Sequence, residues 1–430
     1  MADHTRHGGQ PRREQIVVPE HKSVHVNRSQ VTAADVERLR RLRGKGRLGL
    51  RETPSGWTLS ARAIVGVLVL DRLRLVLGPK VDIPGEQLIT WLCYAQGTPV
   101  PHEPTLRRWL IGDSGYAGIA LAALLAECRK LLHEGLRLDY APVTRVEPVL
   151  RGRLDVRAQV TRGHGAVDRL HVRTFERGHD IWENQICAAA LSRAITHATD
   201  RALAGELAKI ARRFPAPPTA GEASGMLLRA RYNRLNQRYR PAHNWARLIL
   251  NGGGVTDLLT ERGLRADSML LNMNVLWERV VRQMARDIAA EFGGECQGRT
   301  DDPGITTSGD IGKPGEPFVP DVLVRLPGDP PRFLPVDAKY KAYAGERVDA
   351  TDRHQLLTYI AGYAAPDTPL AAVVHPAPDG GTDRTLTVTG PRGNRLGRIE
   401  LLGLDTRLPP HQAATPLRAL ISGVATGTIP

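Results

Sequence analysis

Two strand-like runs, Pro320 to Leu326 and Phe333 to Tyr340, flank the stretch Pro327-Gly328-Asp329-Pro330-Pro331, which can only be turn or loop. Such runs around a short turn specify an antiparallel hairpin. In the first run Val322, Val324 and Leu326 alternate with Asp321, Leu323 and Arg325. In the second, Val336, Ala338 and Tyr340 alternate with Asp337, Lys339 and Lys341. With the turn centred near Asp329-Pro330, Asp321 falls opposite the Asp337–Lys339 stretch, where facing Cβ atoms lie about 5 Å apart. Asp337 and Lys339 are two residues apart and share a face. Two carboxylates and a lysine therefore converge at one edge of a small sheet. Pro335 demands a strand edge or a bulge, because it has no N–H for a ladder.

A hard divalent cation takes oxygen ligands and keeps several waters, so two aspartates can anchor it while phosphate oxygens complete its shell. The cation acidifies a bound water and offsets developing negative charge. A neighbouring ammonium can orient that water or stabilise the transition state. The same short string also arises by chance in surface hairpins with solvated charges.

Two flanking helices add to it. Thr351 to Tyr363 opens on cap-type residues, Thr351 or Asp352. It carries Asp352, Gln355, Tyr359 and Tyr363 on one face and Leu356, Leu357 and Ile360 on the other. Gln355 is placed to hold a water or a backbone phosphate. Upstream, Met273 to Phe292 has the stripe Met273, Trp277, Val280, Met284 and Ile288, with Glu278 beside it. Glu278 is either a carboxylate that reaches the metal or a solvated charge next to Arg279 and Arg282.

Together Glu278, Asp321, Asp337-x-Lys339 and Gln355 follow the order of the PD-(D/E)xK nuclease superfamily. Longer phrases are more specific: Asn272-Met273-Asn274-Val275-Leu276-Trp277-Glu278-Arg279, Asp337-Ala338-Lys339-Tyr340-Lys341, and Asp352-Arg353-His354-Gln355-Leu356-Leu357-Thr358-Tyr359. With Leu77-Gly78-Pro79-Lys80, Leu150 to Asp155 and Leu235 to Tyr239, they make the chain resemble the McrC family from about Ile64 to about Gly362. Trp277 stands where that family usually has phenylalanine. The family is the nuclease subunit of McrBC-type, type IV modification-dependent restriction systems.

The resemblance implies a Mg²⁺- or Mn²⁺-dependent DNA endonuclease subunit. Asp321 and Asp337 would ligate metal, Glu278 would support its shell, Lys339 would orient or activate water, and Gln355 would assist. The implied fold is α+β and multidomain: an N-terminal mixed β/α domain, then a C-terminal restriction-endonuclease-like α/β domain with helical additions. By the same resemblance the N-terminal domain plugs into a hexameric ring of a McrB-like AAA+ GTPase and stimulates it. That partner would recognise DNA carrying 5-methylcytosine and translocate it. A stand-alone PD-(D/E)xK repair nuclease, or a non-catalytic adaptor of a ring NTPase, are the rival classes.

The net charge of +14 over 430 residues attracts a polyanion, and DNA is the obvious one. No GxxxxGK[ST] occurs, so the chain is expected to bind no nucleotide and any motor belongs to another chain. The longest apolar run, Ala63 to Leu70, is too short to span a bilayer and suits a buried strand. The N-terminus has no apolar core of a signal peptide. Four scattered cysteines without a CxxC pair fit reduced thiols in a cytoplasmic protein. His21 and His25 lack carboxylate company, and His354 turns away from the Gln355 face.

Four regions are expected: 1–145, partner-engaging and β-then-α; 146–268, a strand pair and helical connector; 269–405, the nuclease core; and 406–430, a loosely held proline- and threonine-rich tail. Residues 1–30 read as a flexible basic lead with one strand near Ile16–Val18. Thr32–Leu42, Pro84–Tyr94, Thr105–Ile111 and Tyr116–Leu132 read as helices, and Arg51–Leu77 as short strands. Leu150–Val160 and Arg169–Thr174 read as paired strands, Trp182–Arg213 as one helical region, and Met226–Leu250 as helix around Pro241. There Arg231, Arg234 and Arg238 share a face with Tyr232 and Tyr239 interleaved. That face either grips a phosphate backbone, as Lys341 could, or is a solvated or domain-packing face. Gly252-Gly253-Gly254 marks a loop, and Leu370–Pro376 and Leu386–Thr389 read as later strands.

Overall fold

The structure, a computed structural model, describes residues 14–20, 22–44, 46–78, 80–81, 83, 85–97, 100, 115–162, 166–198, 201–250, 269–297, 303–309, 315–341, 343, 348–366, 368–378, 380–381 and 383–428. Thr105–Ile111, Gly252–Gly254, Lys45 and His21 fall outside them. The chain divides into two compact units, residues 1–100 with 257–430 and residues 101–256.

The first unit begins with β1 (Glu14–Pro19), β2 (Ser23–Asn27), α1 (Ala33–Gly44), β3 (Leu48–Thr53), β4 (Gly56–Ala61), β5 (Ile64–Val69), β6 (Leu73–Gly78) and α2 (Gly85–Gln96). Strands β2, β4 and β3 form an antiparallel sheet in that order. In β6, buried Leu73, Leu75 and Leu77 alternate with half-buried residues, the pattern of a strand with one face inward. They join Val18, Ile64 and Leu68 and the α1 residues Leu39 and Leu42 in one apolar cluster. Each such fully buried side chain stabilises by about 1.5–3 kcal/mol.

The second unit holds α3 (Gly115–His133), β7 (Asp139–Glu147), β8 (Arg153–Leu154), α4 (Val156–Arg162), β9 (Leu170–Gly178), α5 (Trp182–His197), α6 (Arg201–Ala211), α7 (Ala220–Arg229) and α8 (Arg240–Leu250). A boundary at residue 145 would cut β7, and α3 belongs to this unit, so the expected division at 145 and 269 is corrected. The expected strand Leu150–Val160 keeps only two strand residues, because Asp155 takes the Ala158 amide at 3.0 Å and starts α4. Trp182–Arg213 holds two helices, α5 and α6.

The helix expected over Met226–Leu250 is also interrupted. Asn233 Oδ1 takes the Leu235 amide at 2.9 Å, an Asx-type turn that competes with helix, and Pro241 stands in the first turn of α8. Arg231 and Arg234 therefore lie exposed in the connector. Arg238 donates to the Glu134 and Gly135 carbonyls and stands over the Tyr239 ring at 5.5 Å. The three arginines share no helical face. Tyr239 is buried, its hydroxyl bonded to Asn184 Oδ1 at 2.7 Å.

The chain then re-enters the first unit through β10 (Met269–Asn272), which pairs antiparallel with β5, so the sheet order is β1-β6-β5-β10 and the apolar run from Ala63 supplies an inner strand. Asn272 ends β10 and also caps α9 (Met273–Glu291), its side chain accepting from the Asn274 and Val275 amides. A six-stranded sheet follows, in the order β11 (Glu295–Gln297), β12 (Val322–Leu326), β13 (Arg332–Ala338), β14 (Leu370–Pro376), β16 (Arg395–Leu404) and β15 (Arg384–Thr389). The central pairs β13–β14 and β14–β16 are parallel.

Helix α10 (Ala350–Tyr363) lays Leu356, Tyr359 and Ile360 on Ala371, Val373, Ile399 and Leu401. Strand alternation puts Ala372 and Val374 on the opposite face. The α9 stripe Met273, Trp277, Val280, Met284 and Ile288 is buried. Trp277 Nε1 donates to the Val374 carbonyl at 2.9 Å, and its ring stacks on Trp91 of α2 at 5.5 Å. The residue before Glu278 is thus fixed on two sides.

The segment expected to be a loose tail is helical: α11 (Pro410–Ala413) and α12 (Thr415–Thr426), with Leu417, Ile421 and Val424 buried. Its described prolines, Pro409, Pro410 and Pro416, stand at helix N-termini, where a missing N–H costs nothing. Pro335 pairs with Leu323 on one side only, since β14 joins β13 from Val336 onward, so the strand is locally an edge there.

Candidate active site

The hairpin β12–β13 has the register Val322↔Val336 through Leu326↔Arg332, which leaves 327–331 as its turn. Asp321 and Asp337 stand at its open end. Asp321 Oδ2 accepts from the Ala338 amide at 2.9 Å. Asp337 is registered with Val373, on the face covered by α10, and its side chain is 1% exposed. Lys339 Nζ lies 2.8 Å from Asp337 Oδ2 and donates to Gln355 Oε1 at 3.2 Å. Gln355 Nε2 points at Asp337 Oδ1 (3.5 Å) and donates to the Tyr359 hydroxyl at 2.8 Å. That hydroxyl donates to the Val319 carbonyl at 3.0 Å, tying α10 to the segment that delivers Asp321.

The helix cap differs from expectation. Asp349, not Thr351 or Asp352, caps α10 by accepting the Asp352 amide at 2.9 Å. That turns Asp352 inward, where Oδ2 accepts from the Tyr343 hydroxyl at 2.6 Å and pairs with Lys341 at 2.5 Å. Lys341 also pairs with Asp349 at 2.9 Å, so its charge is committed within the chain.

Glu278 reaches the site through an intermediary. Its Oε1 pairs with Arg282 one helical turn on, at 2.5 Å, and Arg282 donates to the Asp321 carbonyl at 2.9 and 3.3 Å. The structure therefore brings Asp321, Asp337, Lys339 and Gln355 into direct contact and connects Glu278 by way of Arg282. Arg231, Arg234 and Arg238 belong to the second unit. Sequence reasoning missed Arg282 and Tyr343. Arg282 four residues after Glu278 was the available signal, since i,i+4 pairs meet on a helix.

The electrostatics follow from crowding. Burial pushes the Asp337 carboxyl up to about 6, and the Asp321 charge adds to that, while Lys339 opposes it. Burial disfavours the Lys339 ammonium, but the Asp337, Asp321 and Asp352 carboxylates outweigh it and hold its proton more tightly than usual. Asp337 Oδ2 is buried, with the Lys339 ammonium 2.8 Å away as its partner. Among the described residues no three His, Cys, Asp or Glu side chains converge as a ready metal cluster. The donor set is the two aspartates, both hard oxygen ligands. A hard divalent cation fits it, because such ions bind through one or two carboxylates and keep water or phosphate oxygens for the rest. No helix among the described residues is long and apolar enough to cross a membrane.

Residues 59–372 match the family model described as McrBC 5-methylcytosine restriction system component. In a refined half-complex from the tetradecameric assembly of Thermococcus gammatolerans McrB AAA+ hexamers with bound McrC, one chain shares 17% identity with this one at a TM-score of 0.63. The match covers 95% of this chain and 100% of that chain. A chain of the Thermococcus gammatolerans McrBC complex matches at 19% identity and a TM-score of 0.45, over 63% of this chain and 86% of that one. No curated protein matches significantly. The likeness to the half-complex carries the mixed α/β, multidomain fold. The family match extends over most of the chain and includes Glu278, Asp321, Asp337, Lys339 and Gln355, so the chain belongs to the McrBC 5-methylcytosine restriction system component family.

Proposed function

We propose that this chain is the DNA-cutting subunit of a McrBC-like restriction system, a Mg²⁺- or Mn²⁺-dependent endonuclease of PD-(D/E)xK type. The observation that carries the reading is the convergence at one hairpin end of Asp321, the buried Asp337 carboxylate and Lys339, whose ammonium lies 2.8 Å from Asp337 Oδ2.

Asp321 and Asp337 would hold the cation, and Arg282, with Glu278 behind it, fixes the Asp321 backbone. When bound, the cation polarises the phosphodiester and lowers the pKa of water. Lys339 keeps an ammonium at the edge of the pair, where it orients the attacking water and offsets charge on the phosphoryl oxygens. Gln355, held by Tyr359, presents its carbonyl to Lys339 and its amide to Asp337, and so fixes the face from which water approaches. One P–O bond forms from water and one breaks, the departing oxygen leaving with a proton.

The solved relative was captured with AAA+ hexamers, and a ring NTPase is the partner proposed for this chain. The second unit offers a surface for it. Register places Tyr140, Val146 and Phe175 on one face of the β7–β9 pair, and all three are more than half exposed. Exposed aromatic and aliphatic groups sharing one strand face offer anchors for a partner.

The test reconstitutes the chain with its ring partner, NTP, Mg²⁺ and methylated DNA. Cleavage by wild type and none by Asp337→Ala, with NTP hydrolysis still stimulated by both, is the expected result. Efficient cutting without partner or NTP would point to a stand-alone nuclease. Stimulation without cutting by wild type would point to an adaptor.

A further inference from the structure

Asp352 is only 7% exposed, although Asp349 already provides the helix cap. Its Oδ2 accepts from the buried Tyr343 hydroxyl at 2.6 Å and from Lys341 at 2.5 Å. Its Oδ1 lies 3.9 Å from Lys339 Nζ. Lys341 is bracketed on its other side by Asp349 at 2.9 Å and stands over the Tyr343 ring at 4.9 Å. Asp352 is therefore clamped by one hydroxyl and one ammonium, with its second oxygen turned toward Lys339.

Lys339 needs such a fixed point. An ammonium on a four-carbon stem has three donors and is held only where its partners stay put. Asp337 and Gln355 occupy two directions. Asp337, however, is the carboxylate assigned to the cation, so its oxygen is shared whenever the cation is present. Asp352 Oδ1 lies 3.9 Å from the lysine and is not assigned to the cation.

We infer that Asp352 is a positioning residue for Lys339, its carboxylate pinned by Tyr343 and Lys341 so that it holds the Lys339 ammonium beside the aspartate pair. Lys341 is then the internal counter-ion of Asp352, in place of the DNA contact its sequence position suggested. The consequence for cleavage rests on the nuclease reading; the positioning itself does not.

The experiment measures acylation of individual lysines in metal-free protein by an amine-reactive ester, read by peptide mass spectrometry with Lys130 and Lys209 as internal references. Asp352→Asn is expected to acylate Lys339 several-fold faster than wild type. Lys341→Met frees the Asp352 charge for Lys339 alone and is expected to slow acylation there. General loosening would speed both, so the opposite signs separate positioning from a packing role. In the reconstituted system Asp352→Asn is expected to lower kcat about 10-fold or more with DNA affinity unchanged, and Asp352→Glu to recover part of it. Unchanged Lys339 acylation in Asp352→Asn, or faster acylation in Lys341→Met, overturns the inference. Should Asp352→Asn not fold, Lys341→Met alone decides by its sign. Opposite acylation signs with a wild type that cuts no DNA would leave the positioning standing and remove the nuclease reading.

Discussion

Asp321 and Asp337 face one another across the open end of a single hairpin, one fixed by the Ala338 amide at 2.9 Å and the other buried with the Lys339 ammonium 2.8 Å from its Oδ2. Burial of Asp337 and the like charge of Asp321 beside it oppose the fold that holds both ionised.

The first prediction follows from that opposition. Burial, with the Asp321 charge, raises Asp337 to about 6 from an ordinary carboxylate value near 4. The folded state then binds this proton more tightly than the unfolded chain. Its contribution to stability is full below about pH 4 and is lost as pH rises through about 6. In EDTA at pH 7, Asp337→Asn should be more stable than wild type by about 1–3 kcal/mol, yet inactive. Chemical denaturation from pH 4 to 7.5 checks it; equal stability at pH 7 would mean the pair is not strained.

Arg282 is predicted to matter more than Glu278. It donates two hydrogen bonds to the Asp321 carbonyl, whereas Glu278 meets the site through it. Losing charged hydrogen bonds at a half-buried site costs about 1.5–3 kcal/mol. Arg282→Ala should lower cleavage by about 10-fold or more and raise the Mg²⁺ concentration needed. Glu278→Gln, which can still accept from Arg282, should show a smaller shift. A metal titration of both variants decides, and a larger loss in Glu278→Gln would instead make Glu278 a direct ligand.

The hairpin was legible because its information is local: turn residues at 327–331, alternation on both sides, and a spacing that sets the register. Strand β16 was not. It is buried from Ile399 to Leu404 without alternation and carries Gly397 and Gly403. Both glycines answer to tertiary neighbours, since a Cβ at Gly397 would lie 2.7 Å from Ile360 Cδ1. The C-terminal helices were hidden by Pro410 and Pro416, which read as coil until their helix-start positions are known. Asp352 was legible as a polar residue on the Gln355 face, but its pairing with Lys341 and Tyr343 depends on the loop between them. Composition could not show that Arg238 is spent on the Glu134 and Gly135 carbonyls.

His375 gives a prediction of opposite sign to Asp337. It ends the inner strand β14, 5% exposed, with its ring edge-on to Tyr343 at 5.1 Å. Burial lowers its pKa below the ordinary histidine value, so the folded state resists its protonation. The stability it contributes is present above about pH 6.5 and is lost as pH falls. His375→Gln should flatten the loss of stability between pH 6.5 and 5 relative to wild type. Parallel pH–stability curves for the two proteins would show that the imidazole is not the group responsible.

The last prediction concerns the β7–β9 face. Opposed residues of an antiparallel pair share a face and alternate residues follow it, so the registers Tyr140↔Arg177, Pro142↔Phe175 and Val146↔His171 put Tyr140, Val146 and Phe175 on one face. Phe175 is 70% exposed and Tyr140 65%, so neither adds much to the fold of the free chain. Exposed substitutions away from special features change stability by roughly 0.5 kcal/mol or less. Phe175→Asp should therefore melt within about 1 °C of wild type. It places a charge where a partner would bury an aromatic ring, and central aromatic anchors are worth about 2 kcal/mol or more. Stimulation of the ring partner's NTP hydrolysis should fall by about 10-fold or more at limiting concentration, and cleavage with it. Asp337→Ala, by contrast, should lose cleavage alone. A Phe175→Asp protein that stimulates hydrolysis normally would place the partner contact on another surface.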